Sequence, residues 1–167
     1  MDFYTRVAIE RGLEVHLYTK NQPPMIVTKE LLKELFAAYN TLYFDGKLGK
    51  CGFSFFSKNI TFLGWYCAKE DSRGRPNDKI WIGTCVKWTE EGLKRVLIHE
   101  MIHMYVHRIE GHRYDGIFGH GRRFRREARR IRKEYGIETL KCPDVEFLDK
   151  NHRPQWWEKA LLWLIDR

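Results

Sequence analysis

Cysteine is scarce and wrongly spaced for thiol-rich metal sites: the four residues, at 51, 67, 85 and 142, form no CxxC pair. That excludes a zinc ribbon and a thioredoxin-type redox pair. Cys51, Cys67 and Cys85 fall in strand-like segments, where reduced thiols packing as small hydrophobes are expected. Long apolar runs are missing too. The longest, Ala160 to Ile165, is far short of the roughly 20 residues that cross a bilayer. The opening segment is broken by Asp2, Arg6, Glu10, Arg11 and Glu14, a pattern foreign to a signal peptide. No membrane association and a cytoplasmic location are therefore expected. Only five prolines, with aromatics at 14%, argue against disorder. Acid is the remaining deficit, 22 Asp and Glu against 30 Lys and Arg, for a formal charge of +8. The charge bears on partners rather than on fold. The length, 167 residues, suits one domain, and no repeat or linker divides residues 1–167.

Residues 1–26 carry little pattern beyond a candidate strand at Leu13–Tyr18 and a turn at Gln22-Pro23-Pro24. From Thr28, an N-cap with Glu30 in the first turn, the positions Leu31, Leu32, Leu35, Phe36, Tyr39, Leu42 and Tyr43 follow helical spacing. Asp45-Gly46 stops that helix. Aromatic and β-branched residues in 51–57, 60–67 and 79–86 then predict three strands, expected to form an antiparallel sheet. Thr89, Glu90 and Glu91 open a second helix running to about Glu110. A third runs from about Gly121 to Tyr135 with Gly136 as its stop, and Pro154 starts a short fourth. Helix, strands, then helices make an α+β domain.

The second helix reads His99-Glu100-Met101-Ile102-His103. Two imidazoles four residues apart stand on one helix face and can bind one metal ion. The intervening Glu100 points to the side, within reach of a water activated by that metal, which is the working principle of HExxH peptidases. A catalytic zinc needs a third protein ligand. His107 lies about 12 Å along the helix from His99, too far for bonds near 2.1 Å. Val106 and Ile109 break the metzincin pattern, which wants Gly and His there. His112, His120, Glu110 and Glu127 remain, and His120, before Gly121 at the mouth of the third helix, is best placed.

Together, HEMIHMYVH and His120-Gly121-Arg122-Arg123-Phe124 resemble the HExxH…HGxxF arrangement of SprT-like metallopeptidases, the family that includes Spartan. The resemblance covers roughly residues 28–136, beginning with the helix LLKELFAAYNTLYFDGKL, and leaves 137–167 as an extension packed on the domain. It implies a zincin-like fold, one Zn2+ held by His99, His103 and His120, and Glu100 as catalytic base. It further implies action on proteins crosslinked to DNA. Bacterial relatives often carry a C-terminal zinc ribbon, for which only Cys142 follows here.

The third helix buries Phe124, Ala128, Ile131 and Tyr135 at i, i+4, i+7 and i+11, leaving Arg122, Arg125, Arg126, Arg129, Arg132 and Lys133 for its outer surface. From Gly121 to Tyr135, seven arginines and one lysine face only Glu127 and Glu134. Self-repulsion unrelieved by local acid, and the fit of guanidinium to phosphate, predict a polyanion-binding surface, and the resemblance makes DNA, single- or double-stranded, the polyanion expected. Trp65, Trp81 and Trp88 are expected in the core. The stripe Trp156, Ala160, Trp163 and Leu164 is expected to pack on the domain. A monomer acting on a protein substrate is the leading expectation. Two alternatives are a non-catalytic, zinc-stabilised nucleic-acid-binding module and an ImmA/IrrE-type gluzincin, with Glu127 as third ligand, cleaving a repressor.

Overall fold

The computed structural model of the chain describes residues 25–57, 62–112, 115–116, 119–141, 143 and 145–148. Thr28 is extended, and its hydroxyl accepts from the Leu31 N–H at 3.1 Å, which starts helix α1, Lys29–Phe44. The helix buries Leu32, Phe36, Tyr39, Tyr43 and Phe44. Strands β1 (Cys51–Phe56), β2 (Gly64–Cys67) and β3 (Asp78–Gly83) follow, then the two-residue β4 (Val86–Lys87). Helix α2 is Glu90–Arg108, opened by Thr89, whose hydroxyl accepts from the Gly92 N–H at 3.0 Å. Helix α3, Arg122–Tyr135, ends at Gly136 with φ of 71°, and β5, Glu146–Phe147, pairs antiparallel with β4.

The sheet is mixed, not antiparallel throughout: its order is β1-β3-β2, with β1 parallel and β2 antiparallel to β3. Consecutive short strands suggest a meander with β2 in the middle. Burial decides otherwise, because β3 carries Ile80 and Ile82, both wholly buried, and takes the centre. The chain therefore passes from β1 to the far edge before returning as β3.

Alternation gives the sheet two unlike faces. Cys51, Phe53, Gly64, Tyr66, Asp78, Ile80 and Ile82 share the inner one. There α1 meets β1 through Phe36 and Phe53, ring centroids 5.8 Å apart, and α2 packs on β2. Burial pushes the Cys51 thiol up to about 12, so at neutral pH it is the small hydrophobe expected. Trp88 is in the core, but Trp65 is 57% exposed and Trp81 is half-buried. Both point outward from the sheet, because their register positions put them on its other face. The Trp156–Leu164 stripe, the rest of the extension beyond Leu148, and the strand at Leu13–Tyr18 lie outside the described residues. Among those described, no helix is long and apolar enough to cross a membrane.

Candidate metal centre

One turn of α2 brings the His99 and His103 Nε2 atoms to 3.2 Å, and the stretch before α3 delivers the His120 Nε2 to 3.1 Å from His103 and 2.9 Å from His99. Their donors form the one cluster suited to a metal ion among the described residues. A tetrahedral ion bonded at about 2.1 Å holds its nitrogens roughly 3.4 Å apart, so a slight opening of this triangle accommodates one. The donor chemistry agrees. His99 Nδ1 lies 2.8 Å from the Thr139 carbonyl oxygen, which can only accept. The proton is thus on Nδ1, and Nε2 presents its lone pair to the centre. Burial holds His99 below its ordinary value despite that carbonyl. Burial, then His99 and Arg125, holds His120 down to about 3, and His103 is likewise well lowered. Three neutral imidazoles with converging lone pairs repel one another, and a cation removes that conflict; the residues present fit a borderline metal such as zinc.

Phe124 floors the cluster. It is wholly buried, with its ring centroid 4.4 Å from His103, 4.6 Å from His120 and 4.8 Å from His99. Asp115 ties it down: its Oδ2 accepts the Phe124 N–H at 2.6 Å, capping α3 from outside the helix. The Asp115 carbonyl also accepts the Gly121 N–H. A Cβ on Gly121 would lie 2.6 Å from that carbonyl, so the turn that aims His120 excludes a side chain there.

Glu100, on the same helix, is buried against β2. Its Oε2 accepts the Tyr66 N–H at 2.7 Å, and burial, opposed by that hydrogen bond, pushes the carboxyl up to about 8. Gly64 makes the room: a Cβ there would meet Glu100 Oε1 and Val96 Cγ1, each at 2.8 Å. The Tyr66 phenol turns away, 3.2 Å from Asp78 and 3.1 Å from His107 Nδ1. It is therefore engaged in a network completed by Arg108, which grips Asp78 through Nε at 2.9 Å and Nη2 at 2.7 Å. His107 faces this network and not the metal cluster. Glu127 accepts from Arg130 Nε at 2.9 Å and stays outside the cluster, as do Glu110 and His112, which removes the geometric basis for a gluzincin.

The cations of α3 are less alike than their spacing suggests. The segment's scarcity of acid is made good from elsewhere in the chain: Glu110 pairs with Arg126 and lies 3.7 Å from Arg123, and Glu138 pairs with Arg132 at 3.1 Å. Arg130 is held by Glu127 and Glu134. The expectation of unrelieved repulsion is thus corrected, since a local count cannot see acids contributed by α2's end and residue 138. Arg122, Arg129 and Lys133 are exposed and make no ion pair among the described residues; Arg125 is half-buried near His120.

Sequence reasoning missed Gly64, Asp115 and Thr139. Gly64, lodged between Leu63 and Trp65 in a strand, was the one with a visible signal, since a glycine inside a strand marks close approach. A search of curated proteins returns no match to the chain. The family model for the SprT-like family matches residues 32–144, from the first turn of α1 past the Thr139 carbonyl, and so takes in every element that builds the histidine cluster. The chain belongs to the SprT-like family.

Proposed function

We propose that this protein is a zinc-dependent endopeptidase that cleaves proteins associated with or crosslinked to DNA. One observation carries the peptidase reading: three imidazole donors converge into one metal-binding cluster, and the helix that supplies two of them also carries the buried Glu100 between them. His99, His103 and His120 would hold the ion. Zinc in such a site polarises a carbonyl and acidifies water towards pKa about 7. Glu100, which the charge of a bound cation would hold ionised against its burial, takes the proton of the attacking water and returns it to the leaving amine. Its Oε2 is fixed by the Tyr66 N–H, which leaves Oε1 for the proton. The DNA reading is supported by Arg122, Arg129 and Lys133, three cations without an ion pair among the described residues on the helix that follows His120. The enzyme would then work as a monomer wherever the cell keeps its DNA, in the cytoplasm or the nucleus.

The test is incubation of zinc-quantified protein with a protein–DNA crosslink, with and without DNA and chelator. Glu100→Gln should keep full zinc content and lose cleavage; chelation should abolish it in the wild type. A wild type that holds zinc and cleaves nothing under any DNA condition would leave the non-catalytic nucleic-acid-binding module as the surviving interpretation.

A further inference from the structure

The outer face of the sheet gathers exposed and half-buried aromatic rings among the described residues. Trp65 and Trp81 are register partners on adjacent antiparallel strands, so their side chains stand side by side on that face. Trp65 is 57% exposed and lies edge-on to Phe62, itself 36% exposed, with centroids 5.9 Å apart. Phe62 in turn meets Phe56, 5.6 Å away, whose ring covers Gly83. The ammonium of Lys79 sits 5.7 Å from the Trp81 ring centroid. The outward residues of the three strands are Gly52, Ser54, Phe56, Trp65, Cys67, Lys79, Trp81 and Gly83, which include one cation and no acid.

The connection between β2 and β3 extends the same balance at the Lys79 end. Asp71 is spent on Arg75 at 2.7 Å, and Glu70 faces Arg108 at 3.8 Å. Lys69 and Arg73 are exposed without an ion pair among the described residues. Neighbouring aromatic rings, a cation against one of them and unmatched positive charge at the rim suit stacked bases with a phosphate backbone alongside. A duplex offers no free base faces, so the occupant is single-stranded.

We infer that the outer face of the sheet, with Trp65 and Trp81 as stacking rings and Lys79 beside them, is a platform for single-stranded nucleic acid. The inference rests on the DNA part of the proposed function and adds to it a surface separate from the arginines of α3 and a strand preference. β2 joins the two sites. Its outward residue Trp65 stands between Gly64 and Tyr66, the inward residues that seat Glu100.

The test is fluorescence anisotropy of the zinc-loaded full chain with a labelled dT20 strand and a duplex of equal length. Trp65→Ala should weaken dT20 binding roughly tenfold, since stacking contributes that much per base, and leave duplex binding unchanged; Trp65→Phe should restore most of it. Trp65 is exposed, so folding should survive, and circular dichroism checks that it does. Equal dT20 affinity for wild type and Trp65→Ala overturns the platform. If Arg129→Glu with Lys133→Glu then weakens binding of both dT20 and duplex several-fold, the tether on α3 stands without it. A wild type that binds neither form, yet cleaves protein, overturns the platform and the DNA reading while sparing the peptidase. A change in sedimentation on Trp65→Ala, with dT20 affinity unmoved, makes the face a protein contact and also overturns it.

Discussion

Gly64 shows how a residue without a side chain can decide chemistry. A methyl group there would press first on the Glu100 Oε1 and on Val96 Cγ1, each 2.8 Å away, and next on the Glu100 Cγ at 3.0 Å. Gly64→Ala must therefore move the carboxylate or the strand. A displacement near 1 Å at a reacting group lowers turnover on the order of a hundredfold, and overpacking destabilises by about 1–3 kcal/mol. The expected result is unchanged zinc stoichiometry with a collapsed kcat, read from metal analysis beside a cleavage assay; loss of zinc would show that Gly64 supports the metal cluster instead. This division also marks what could be read in the sequence. His99, Glu100 and His103 were legible because a helix converts their spacing into a shared face. His120 was legible only as the best placed of four candidates until its HGxxF context was considered. Gly64 was legible only as a glycine inside a strand, a mark of close approach that names no partner, and the Thr139 carbonyl not at all, because each meets α2 only across 36 or 40 positions of sequence.

Among the elements, the contact between β3 and α2 rests on one buried ion pair. Asp78 is fully enclosed, and Arg108 grips it with two nitrogens at 18% exposure. Asp78 also receives the Tyr66 phenol, so three elements lean on one carboxylate. Removing the Asp78 charge leaves the mostly enclosed Arg108 with only the distant, exposed Glu70 at 3.8 Å, which destabilises by roughly 3 kcal/mol, the low end for breaking a buried pair. Asp78→Asn should lower the unfolding free energy read from urea titration by that much, whereas Glu146→Gln, which breaks the exposed Lys87 pair at 2.9 Å, should lower it by about 1 kcal/mol or less. Comparable losses in the two variants would mean that the Asp78 network is not the clasp described. The starts of α1 and α2 were legible in the sequence, because an N-cap is a local hydrogen bond and Thr28 and Thr89 both make it, whereas α3 is capped by Asp115 from outside the helix. The strand order was not. It depends on which strand buries most on both flanks, a property of the assembled sheet, and alternation alone does not say which face of Trp65 or Trp81 looks outward.

For the whole molecule, the formal charge of +8 is concentrated on a few positions. Seven arginines and a lysine crowd 121–135, but the fold brings Glu110 and Glu138 against Arg123, Arg126 and Arg132. A matched arginine must give up its carboxylate before it neutralises a phosphate, so it contributes little to counterion release. On the proposed function, Arg122, Arg129 and Lys133, without an ion pair among the described residues, would carry the electrostatic attraction to DNA. Each phosphate contact adds roughly 0.9 to the slope of log affinity against log salt on duplex DNA. Arg129→Glu with Lys133→Glu should therefore flatten that slope by about 2 and weaken binding several-fold at 0.1 M salt. Arg132→Glu, on the same helix and of the same type, should change the slope by well under one contact's share, because Glu138 already answers its charge at 3.1 Å. Titrations of one duplex at four salt concentrations separate the cases. Equal flattening by Arg132→Glu would show that the helix binds through its total charge, and a slope near zero in the wild type would remove α3 as a DNA contact.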